Sequence, residues 1–388
     1  MKGIIIGAGI AGLTAAIALQ RRGFNIQVYE SASELQPVGA GIWIAPNGMA
    51  VLQRIDSRLD DDVRDAGKTL LTTDIVNHKG KILQRIKYED CIERYGYGTT
   101  AIHRGVLQKI LLSYVQENTV HLHKMCMETG HLPGGDVFAR FADGSTVQGD
   151  FLLGADGLHS VARKYVAGHV PFRYSGQTCW RGITEFILPP EYRDGMVEIW
   201  GKHKGMRVAF SQVSSTKAYF YLTQYLPAGG KDDPVTLKDY LHDLYKEFTP
   251  VFHDILRACD VNQIIRTDLY DFAPLTQWTK GRIALLGDSA HATTPNLGQG
   301  GNQAFESAYV LADCLAECNT PMQLHDAYQK YAHIRMKKAH KITKLSWQLA
   351  QMVNIESGFW QAVRNAFMKS TPHFVAEKQL DDIYRLNF

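Results

Sequence analysis

Two glycine-rich segments near opposite ends of this chain carry the residue types that bind a nucleotide. The stretch from Gly287 to Glu306, GDSAHATTPNLGQGGNQAFE, places Asp288 after an apolar strand and a run of glycines at the start of a helix. Near the amino end, three isoleucines lead into the spacing Gly7, Gly9 and Gly12. Glycine lets a backbone approach a ligand closely, and a helix amino terminus offers free N–H groups to an anion. We therefore expect the two segments to converge on one ligand or to bind two.

The amino-terminal segment has the spacing of a dinucleotide site. Gly7 allows the tight turn out of the first strand, Gly9 lets the backbone approach a pyrophosphate, and Gly12 lets the helix pack closely on the strand. Glu30 ends the next apolar strand and fits the carboxylate that accepts hydrogen bonds from a ribose. A carboxylate there repels a 2′-phosphate, so NADP is a poor candidate for this site.

A third segment follows the apolar run 151–153. In GADGLHSVAR, residues 154–163, Asp156 and Gly157 follow a predicted strand, and Ser160 and Arg163 lie in the next helix. The residues alone are equally compatible with a strand followed by an ordinary capped helix.

Composition indicates an ordinary two-domain protein. A chain of 388 residues with 45% hydrophobic content can bury a large core. Lys plus Arg number 42 against 39 acidic residues, and a net charge of +3 gives no reason to expect nucleic acid or an anionic membrane as a partner. The first apolar run is the first strand of the nucleotide fold rather than a signal peptide, so a cytoplasmic location is expected.

No metal site or disulfide framework is expected. His121 and His123 alternate along a predicted strand without acidic or thiol ligands nearby. The cysteines have no CxxC spacing, which indicates reduced thiols. They are Cys91, Cys126, Cys179, Cys259, Cys314 and Cys318.

The nucleotide-type pattern is interrupted by stretches that alternate in the manner of strands. Thr69 to Tyr88 predicts two strands with a turn at 78–80, and Trp180 to Tyr225 predicts successive antiparallel strands that include EFILPP. We expect the two stretches to form one sheet inserted into the first domain. From Gln323 the chain predicts helices that end near Ser370.

The three nucleotide segments together resemble the signatures of the single-component FAD-dependent aromatic hydroxylases. GAGIAG with Glu30, GADGLHSVAR, and GDSAHATTPNLGQGGNQA occur in the family's order. Further matches are GAGIWIAPNG at 39–48, IHRGVLQKIL at 102–111, YSGQTCWRG at 174–182, and GRIALLGD before the third signature. The resemblance reaches about Arg335. The GQGG form and the PNG after Trp43 are most similar to urate, salicylate and hydroxynicotinate hydroxylases.

The resemblance implies an α/β fold. It consists of a Rossmann-like FAD-binding domain of the glutathione-reductase type, an inserted and mostly antiparallel β-sheet substrate domain, and carboxy-terminal helices. The expected bounds are 1–70, 98–173 and 267–345 for the FAD-binding domain, 71–97 and 174–266 for the substrate domain, and 346–388 for the helices.

The resemblance also implies bound FAD. The first glycines and Glu30 hold its ADP half, Arg104 reaches toward the phosphates and ribityl chain, and Asp288 hydrogen-bonds the ribityl. N–H groups of the helix that begins at 300–302 point at the pyrimidine edge of the flavin. The implied cofactor-binding residues are Gly7, Gly9, Ala11, Gly12, Glu30, Ser31, Arg104, Asp156, Asp288, Pro295, Gly298, Gly300, Gly301 and Asn302.

The activity that the resemblance implies is hydroxylation of a small aromatic or heteroaromatic compound. NAD(P)H docks transiently and reduces FAD, and O2 then forms a C4a-hydroperoxide that transfers one oxygen atom to the ring. The expected partners are that substrate and O2, without nucleic acid or membrane, and the expected assembly is a monomer or a homodimer.

Substrate contacts are implied at fewer positions. We hypothesise that Arg207 pairs with an anionic substrate oxygen and that Tyr219 orients the ring; the alternative is an exposed strand arginine and a core tyrosine. His203, between two lysines, is a candidate base, and the alternative is a solvated turn. Urate hydroxylases typically have Asp after the proline of the third signature, where this chain has Asn296, which weakens a urate assignment.

Other functional classes remain open at this point. GDSAH lacks the GxSxG spacing of a serine nucleophile, so His291 is expected to make a structural hydrogen bond. Two alternatives stay open. They are a flavin reductase of the same fold that acts on an isoprenoid-like substrate and a non-catalytic nucleotide-binding regulator.

Overall fold

The computed structural model describes residues 1–35, 40–370 and 372–388. Gly39, the first residue of the matched segment 39–48, lies outside the described residues. The strands are β1 (Lys2–Ile6), β2 (Asn25–Tyr29), β3 (Gly41–Ile44), β4 (Lys68–Leu70), β5 (Thr72–Asn77), β6 (Ile82–Lys87), β7 (Thr99–His103), β8 (Val120–His121), β9 (Cys126–His131), β10 (Val137–Phe141), β11 (Thr146–Gly149), β12 (Phe151–Gly154), β13 (Phe172–Glu185), β14 (Gly195–Trp200), β15 (Arg207–Gln212), β16 (Lys217–Tyr225), β17 (Ile265–Phe272), β18 (Thr279–Lys280) and β19 (Ile283–Leu285).

Helices connect and cover these strands. They are α1 (Ile10–Gln20), α2 (Pro46–Ile55), α3 (Leu59–Ala66), α4 (Tyr88–Tyr95), α5 (Arg104–Ser113), α6 (Val161–Ala167), α7 (Pro190–Arg193), α8 (Leu237–Leu244), α9 (Pro250–Ala258), α10 (Asp288–His291), α11 (Gly300–Ala316), α12 (Leu324–Val353), α13 (Gly358–Ser370) and α14 (His373–Tyr384). Short 3₁₀ turns lie at Val261–Gln263, Pro295–Leu297 and Pro321–Gln323.

The nucleotide segments meet at one edge of a six-stranded sheet. Its order is β18-β19-β12-β1-β2-β8, and every neighbouring pair is parallel except β18 with β19. Ile6 pairs with Tyr29 on one side and with Gly154 on the other, and Gly154 pairs with Leu285. Carboxyl ends of parallel strands share an edge of the sheet, where such folds bind ligands. The loops after β1, β2, β12 and β19 are therefore neighbours.

The two alternating stretches form one sheet, as predicted. The seven-stranded order is β17-β13-β16-β15-β14-β5-β6. Its pairs are antiparallel except for β14 with β5, which run parallel. Strands β5 and β6 lie within residues 72–87, and the other five strands lie within residues 172–272. The predicted turn at 78–80 lies between β5 and β6.

Three sequence-based expectations about elements were wrong. EFILPP is not a strand beyond Glu185, because the two prolines that end it lack N–H donors and instead begin α7. His123 does not continue the strand that ends at His121, since its φ of 59° is left-handed. The helices do not end near Ser370, because Pro372 caps α14, which reaches Tyr384.

Two smaller sheets support the large ones. Strands β9, β10 and β11 form an antiparallel meander, and β3 and β4 flank β7. In the sheet of β3, β4 and β7, Trp43 lies on β3 and Arg104 directly follows β7. This sheet therefore brings both residues toward the edge of the six-stranded sheet where the nucleotide segments meet.

The apolar residues of the described chain divide into separate cores. One core surrounds the six-stranded sheet and includes α1, α11 and the first part of α12. A second lies between the seven-stranded sheet and α8 and α9, where Trp180 is fully buried. The helices of the described ranges include none with the length and apolar character needed to cross a membrane. Within residues 1–35, 40–370 and 372–388, no cluster of three or more His, Cys, Asp or Glu residues could hold a metal ion.

Candidate active site

Two adjoining cavities open at the shared edge of the six-stranded sheet. The first, of about 410 Å³, lies between this edge and the face of the seven-stranded sheet. The second, of about 470 Å³, extends along Glu30 and Gln108. Gly9 lines both cavities. One ligand that passes over Gly9 can therefore occupy both.

The three glycines of the first loop stand in different surroundings. Gly7 has a φ of 101°, and a Cβ atom there would clash with the Ala155 carbonyl. A Cβ atom on Gly12 would clash with the Gly7 carbonyl. A Cβ atom on Gly9 would meet no protein atom within 4 Å. The first and third glycines thus allow close packing, and Gly9 leaves open space in front of α1.

The amino terminus of α1 has unsatisfied N–H groups that face this space. Gly9 is the N-cap residue, no side chain caps the helix, and its first turn contains no acidic residue. The exposed N–H groups and the helix dipole favour a negatively charged group there. The loop accordingly fits a diphosphate.

Glu30 is held in place at the wall of the second cavity. Its Oε2 accepts a hydrogen bond of 2.7 Å from the Ala8 N–H, and its Oε1 accepts one of 2.9 Å from the Ala32 N–H. The Ser31 hydroxyl donates to the same Oε1 at 3.0 Å and does not line the cavity. Gln108, which the sequence reasoning did not single out, lines the cavity and donates to the Ala8 carbonyl at 2.8 Å. It belongs to the matched segment 102–111.

Asp288 and Arg104 both line the first cavity. Asp288 begins α10 after Leu286 and Gly287, which follow β19, and Arg104 begins α5 directly after β7. The Asp288 carboxyl is reached from the cavity although the protein surrounds it. Loss of bulk water raises the pKa of this carboxyl, and the charges of Arg104 and Arg163 counteract part of the rise.

Asp156 is not on the cavity wall, although Ala155 and Gly157 are. Its carboxylate accepts hydrogen bonds from the Ser160 hydroxyl at 2.5 Å and from two N–H groups of α6, that of Val161 at 2.7 Å and that of Ala162 at 3.1 Å. Asp156 therefore caps α6. The structure does not bring it to the predicted ligand.

Arg163 connects this loop to the loop after β19. Its Nη1 donates to the Ser289 carbonyl at 3.3 Å, and its guanidinium stacks on the Phe272 ring at 4.5 Å. The GADGLHSVAR segment thus positions the wall of the site without contributing its own carboxylate.

The loop before α11 forms another wall. Gly298 adopts the left-handed conformation with a φ of 62°, which a residue with a side chain rarely adopts. Asn302 is fully buried and does not line the cavity; its Nδ2 donates to the Trp43 carbonyl at 3.1 Å and to the Gly298 carbonyl at 2.9 Å. Asn302 thereby joins the loop to β3. The residues of this loop that line the cavity include Pro295, Gly298, Gly300 and Gly301.

A buried polar network that was not predicted from the sequence lies behind this loop. Glu306 pairs with Arg335 at 2.5 Å and with Lys338 at 2.8 Å, and it accepts a hydrogen bond of 2.7 Å from Asn47. Asn47 also donates to Gln299 at 3.1 Å. These contacts join α2, α11 and α12, whose residues lie far apart in the sequence.

His291 makes the structural hydrogen bond that the sequence predicted. Its Nε2 lies 2.9 Å from the Ser307 hydroxyl. Burial, with a contribution from Arg335, lowers the pKa of His291 to about 3, so the ring is neutral at physiological pH.

Arg207 lies on the cavity-facing side of the seven-stranded sheet and is only 1% exposed. Its Nη1 lies 3.4 Å from the Glu198 carboxylate, its Nη2 donates to the Asn296 side-chain oxygen, and its Nε donates to the Thr223 hydroxyl at 3.3 Å. The Tyr221 hydroxyl also donates to Glu198. The charge of Arg207 is thus compensated within the protein.

Tyr219 lies on the neighbouring strand β16 and lines the same cavity. Its ring packs edge-on against Trp43 with centroids 5.4 Å apart. Burial raises the pKa of its hydroxyl, so Tyr219 is a neutral hydrogen-bonding group. The two aromatic side chains give the cavity an apolar wall.

Arg181 on β13 lines this cavity together with Arg104 and Arg207, and the sequence did not assign it a role. Its Nη2 donates to the Thr267 hydroxyl at 2.6 Å. The signal that could have identified it was its place in the matched segment 174–182.

His203 does not reach the cavity. It lies in the exposed turn between β14 and β15 and is absent from the walls of both cavities. A base in this turn is too far from the walls to contact a ligand held between the two sheets.

The fold and the site together define a flavoprotein monooxygenase, with a dinucleotide edge that faces an aromatic cavity on a second sheet. Residues 1–343 match the family model described as "FAD binding domain", and the chain belongs to this family. It is an FAD-dependent enzyme of the aromatic hydroxylase class, as the sequence predicted, and NAD(P)H is the co-substrate typical of that class.

Similar proteins extend over most of the chain. It is 34% identical to the aurachin C monooxygenase/isomerase of Stigmatella aurantiaca, over 94% of this chain and 93% of that protein. It is 35% identical to the FAD-dependent urate hydroxylase of Klebsiella pneumoniae over 80% of each. The crystal structure of Klebsiella pneumoniae HpxO with FAD and uric acid is similar at a TM-score of 0.89 and 28% identity, over 99% of this chain and 96% of that chain. The first two are described as a monooxygenase/isomerase and a hydroxylase, so the chain is an enzyme of this kind and not a non-catalytic regulator.

Proposed function

We propose that this monooxygenase hydroxylates a small aromatic acid or phenol that is held between the cofactor edge and the face of the seven-stranded sheet. The observation that carries this proposal is the 410 Å³ cavity, which Gly9, Asp288 and Gly298 line together with Trp43 and Tyr219. Such a cavity, with aromatic walls and a few convergent polar groups, suits a ring bound beside the cofactor.

The residues present fit FAD along the two cavities. Gly9 and the amino terminus of α1 would hold the diphosphate, and Glu30 would accept hydrogen bonds from the ribose. Arg104 and Asp288 would bind the middle of the molecule. The N–H groups at Gly300 and Gly301 would face the flavin ring, which their glycines leave accessible. When bound, FAD accepts hydride from NAD(P)H and supplies the oxygen chemistry.

The chain's own contribution is to hold the substrate ring and to exclude water. The partly buried Trp43 ring and the buried Tyr219 ring form an apolar surface that a substrate ring can contact, and the Tyr219 hydroxyl can orient that ring. Arg207, paired with Glu198 and Asn296, is proposed to form the floor of the cavity as a cation whose charge the protein already compensates.

Relatives leave the substrate itself open. Those with the names quoted above act on urate or on an aurachin, whereas Asn296 stands here in place of the Asp that is typical of urate hydroxylases. The proposal is therefore a small aromatic or heteroaromatic acid or phenol as a class. O2 is proposed as the second substrate.

A turnover panel tests this function. We would measure NAD(P)H oxidation by FAD-loaded protein with phenols, hydroxybenzoates, hydroxynicotinates, purines and tetracyclines, together with hydrogen peroxide and product. Strong stimulation with product and little peroxide is expected for one class. Stimulation that yields stoichiometric peroxide, or none from any aromatic compound, would contradict the proposal.

We also propose the division into an FAD-binding domain at 1–70, 98–173 and 267–345, a substrate domain at 71–97 and 174–266, and carboxy-terminal helices at 346–388. The separate cores around the two large sheets support this division.

A cytoplasmic location is supported by the free state of the six cysteines. The assembly is proposed to be a monomer or a homodimer, which light scattering in solution would distinguish.

A further inference from the structure

We infer that Arg181, together with the Tyr219 hydroxyl, binds an anionic oxygen of the aromatic substrate. This inference rests on the proposed function and specifies its substrate class. The ligand would be a ring that carries a carboxylate or an ionised hydroxyl. The sequence-based hypothesis assigned this role to Arg207, and the contacts of the two arginines favour Arg181.

The two guanidinium groups lie on the same face of the seven-stranded sheet. Arg181 on β13 is paired in register with Tyr221 on β16, and Arg207 on β15 is paired with Thr223 on the same strand. Both arginines line the first cavity, so a ring in that cavity could reach either.

Arg207 already has acceptors for each of its nitrogen atoms. They belong to Glu198, Asn296 and Thr223, and the Glu198 carboxylate compensates its charge. A second anion at Arg207 would be repelled by Glu198. An anionic substrate therefore gains little at this residue.

Arg181 has almost none of these partners. Among the residues that the structure describes, no carboxylate lies within ion-pair distance of it, and the Thr267 hydroxyl is its one hydrogen-bond acceptor. Its Nε is buried without any acceptor. An enclosed cation without a counter-charge is costly, and an anion supplied by a ligand removes that cost.

The Tyr219 hydroxyl provides a second contact at the same place. Within residues 1–35, 40–370 and 372–388, no residue accepts a hydrogen bond from the Tyr219 hydroxyl. The Tyr219 ring packs against the rings of Trp43 and Tyr221. A ligand oxygen between Arg181 and Tyr219 would satisfy both groups. The Trp43 ring beside Tyr219 would then contact the ring of that ligand.

Binding an ionised ring also suits the reaction. An ionised hydroxyl makes an aromatic ring richer in electrons, and this is the form that attacks an electrophilic oxygen. A cation beside that oxygen favours the ionised form in the complex. Arg181 would thereby select anionic rings over neutral rings of the same shape.

The first test is calorimetric binding to oxidised, FAD-loaded protein without NAD(P)H. The probes are benzoate against benzamide, and pentafluorophenol, a phenolate at mildly alkaline pH, against phenol. We expect wild type to prefer the anion of at least one pair, and Arg181→Met to bind that anion about ten- to a hundredfold more weakly. Arg181→Lys should retain most of the affinity. Arg85→Met, which removes an exposed cation from the far edge of the same sheet, is the matched control.

Equal affinity of wild type and Arg181→Met for both anions, or no preference of wild type for either, would overturn the inference. The carboxylate pair and the phenolate pair identify which anion is bound. The panel of the preceding section can fail separately, since these measurements need no turnover.

A second test needs no ligand. Removal of an uncompensated cation leaves no buried charge behind, so Arg181→Met should leave the urea midpoint of the ligand-free protein unchanged or raised. Arg207→Met should lower that midpoint, because it leaves Glu198 unpaired. If Arg181→Met lowers the midpoint as much as Arg207→Met, Arg181 is a structural cation and the inference is wrong.

Discussion

At the scale of single residues, the glycines of one motif have different tasks. A side chain at Gly7 or Gly12 would clash with a neighbouring backbone carbonyl. A side chain at Gly9 would meet no protein atom and would only enter the space proposed for the diphosphate. Likewise, Arg181 and Arg207 look alike in the sequence but differ in how the protein compensates their charges. Substitutions at such paired positions separate binding from stability.

We expect Gly9→Ala to weaken FAD binding without loss of fold stability, because its Cβ atom enters open space that the diphosphate would occupy. Gly12→Ala should instead destabilise the protein by about 1 to 3 kcal/mol, because its Cβ atom overlaps the Gly7 carbonyl. FAD titration and urea unfolding of the ligand-free variants measure the two effects. Gly134→Ala, in an exposed turn with open space, is the control. Unchanged FAD affinity in Gly9→Ala would contradict the assignment of Gly9.

Asn296→Asp is expected to weaken the binding of anionic rings. The new carboxylate would share Arg207 with Glu198, so this group of three would carry a net negative charge next to the cavity. At an effective dielectric constant near 20, repulsion over several ångströms should reduce anion affinity by about tenfold or more. The measurement is benzoate affinity by calorimetry, and Asn118→Asp in an exposed turn is the control. Tighter benzoate binding in Asn296→Asp would contradict the expectation that a carboxylate beside Arg207 repels an anionic ring in the cavity.

At the scale of elements, the site is built where helices and loops begin. α1, α5, α10 and α11 all start at the cavities, because each follows a strand or loop that ends at the same edge. Contacts on the side away from the cavity hold α11 in place, where Glu306 pairs with Arg335 and Lys338 of α12.

Glu306→Gln should destabilise the protein by about 3 to 5 kcal/mol, because it leaves the buried Arg335 and Lys338 without their carboxylate. Since α11 presents its first N–H groups to the cavity, FAD affinity should fall as well. Urea unfolding and FAD titration report the two effects. Glu317→Gln at the exposed end of the same helix, which pairs with Lys330 at 3.6 Å, should have an effect near zero. A stable Glu306→Gln variant would mean that the network does not hold α11.

At the scale of the whole molecule, FAD in the proposed position would contact loops from four strands of the six-stranded sheet and would lie against a second sheet. A ligand that binds the folded state alone stabilises all of these parts together. FAD at a hundredfold excess over its dissociation constant should raise the free energy of unfolding by about 2.7 kcal/mol. Thermal unfolding with and without FAD measures this, and NADP, disfavoured by Glu30, is the control. Equal stabilisation by both nucleotides would contradict the role given to Glu30.

The sequence by itself determined the FAD-binding class and the sheet that carries the nucleotide segments. The glycine spacing from Gly7 to Gly12 after three isoleucines indicates a dinucleotide turn because that signal is local, and the resemblance of the three segments to a known family specified FAD. Alternation is also a local signal, so it predicted strands in 69–88 and 180–225, and the expectation that they join in one sheet is confirmed.

Only the tertiary structure decided which side chains face the cavity and which are occupied elsewhere. Asp156 and Asn302 both belong to the nucleotide segments. However, Asp156 accepts hydrogen bonds from the start of α6, and Asn302 joins the loop before α11 to β3. His203 is kept away in an exposed turn, and Arg181 is brought to the cavity without a counter-charge. Such outcomes depend on partners distant in the sequence. Charge compensation and burial are properties of the assembled neighbourhood, so spacing along the chain cannot specify them.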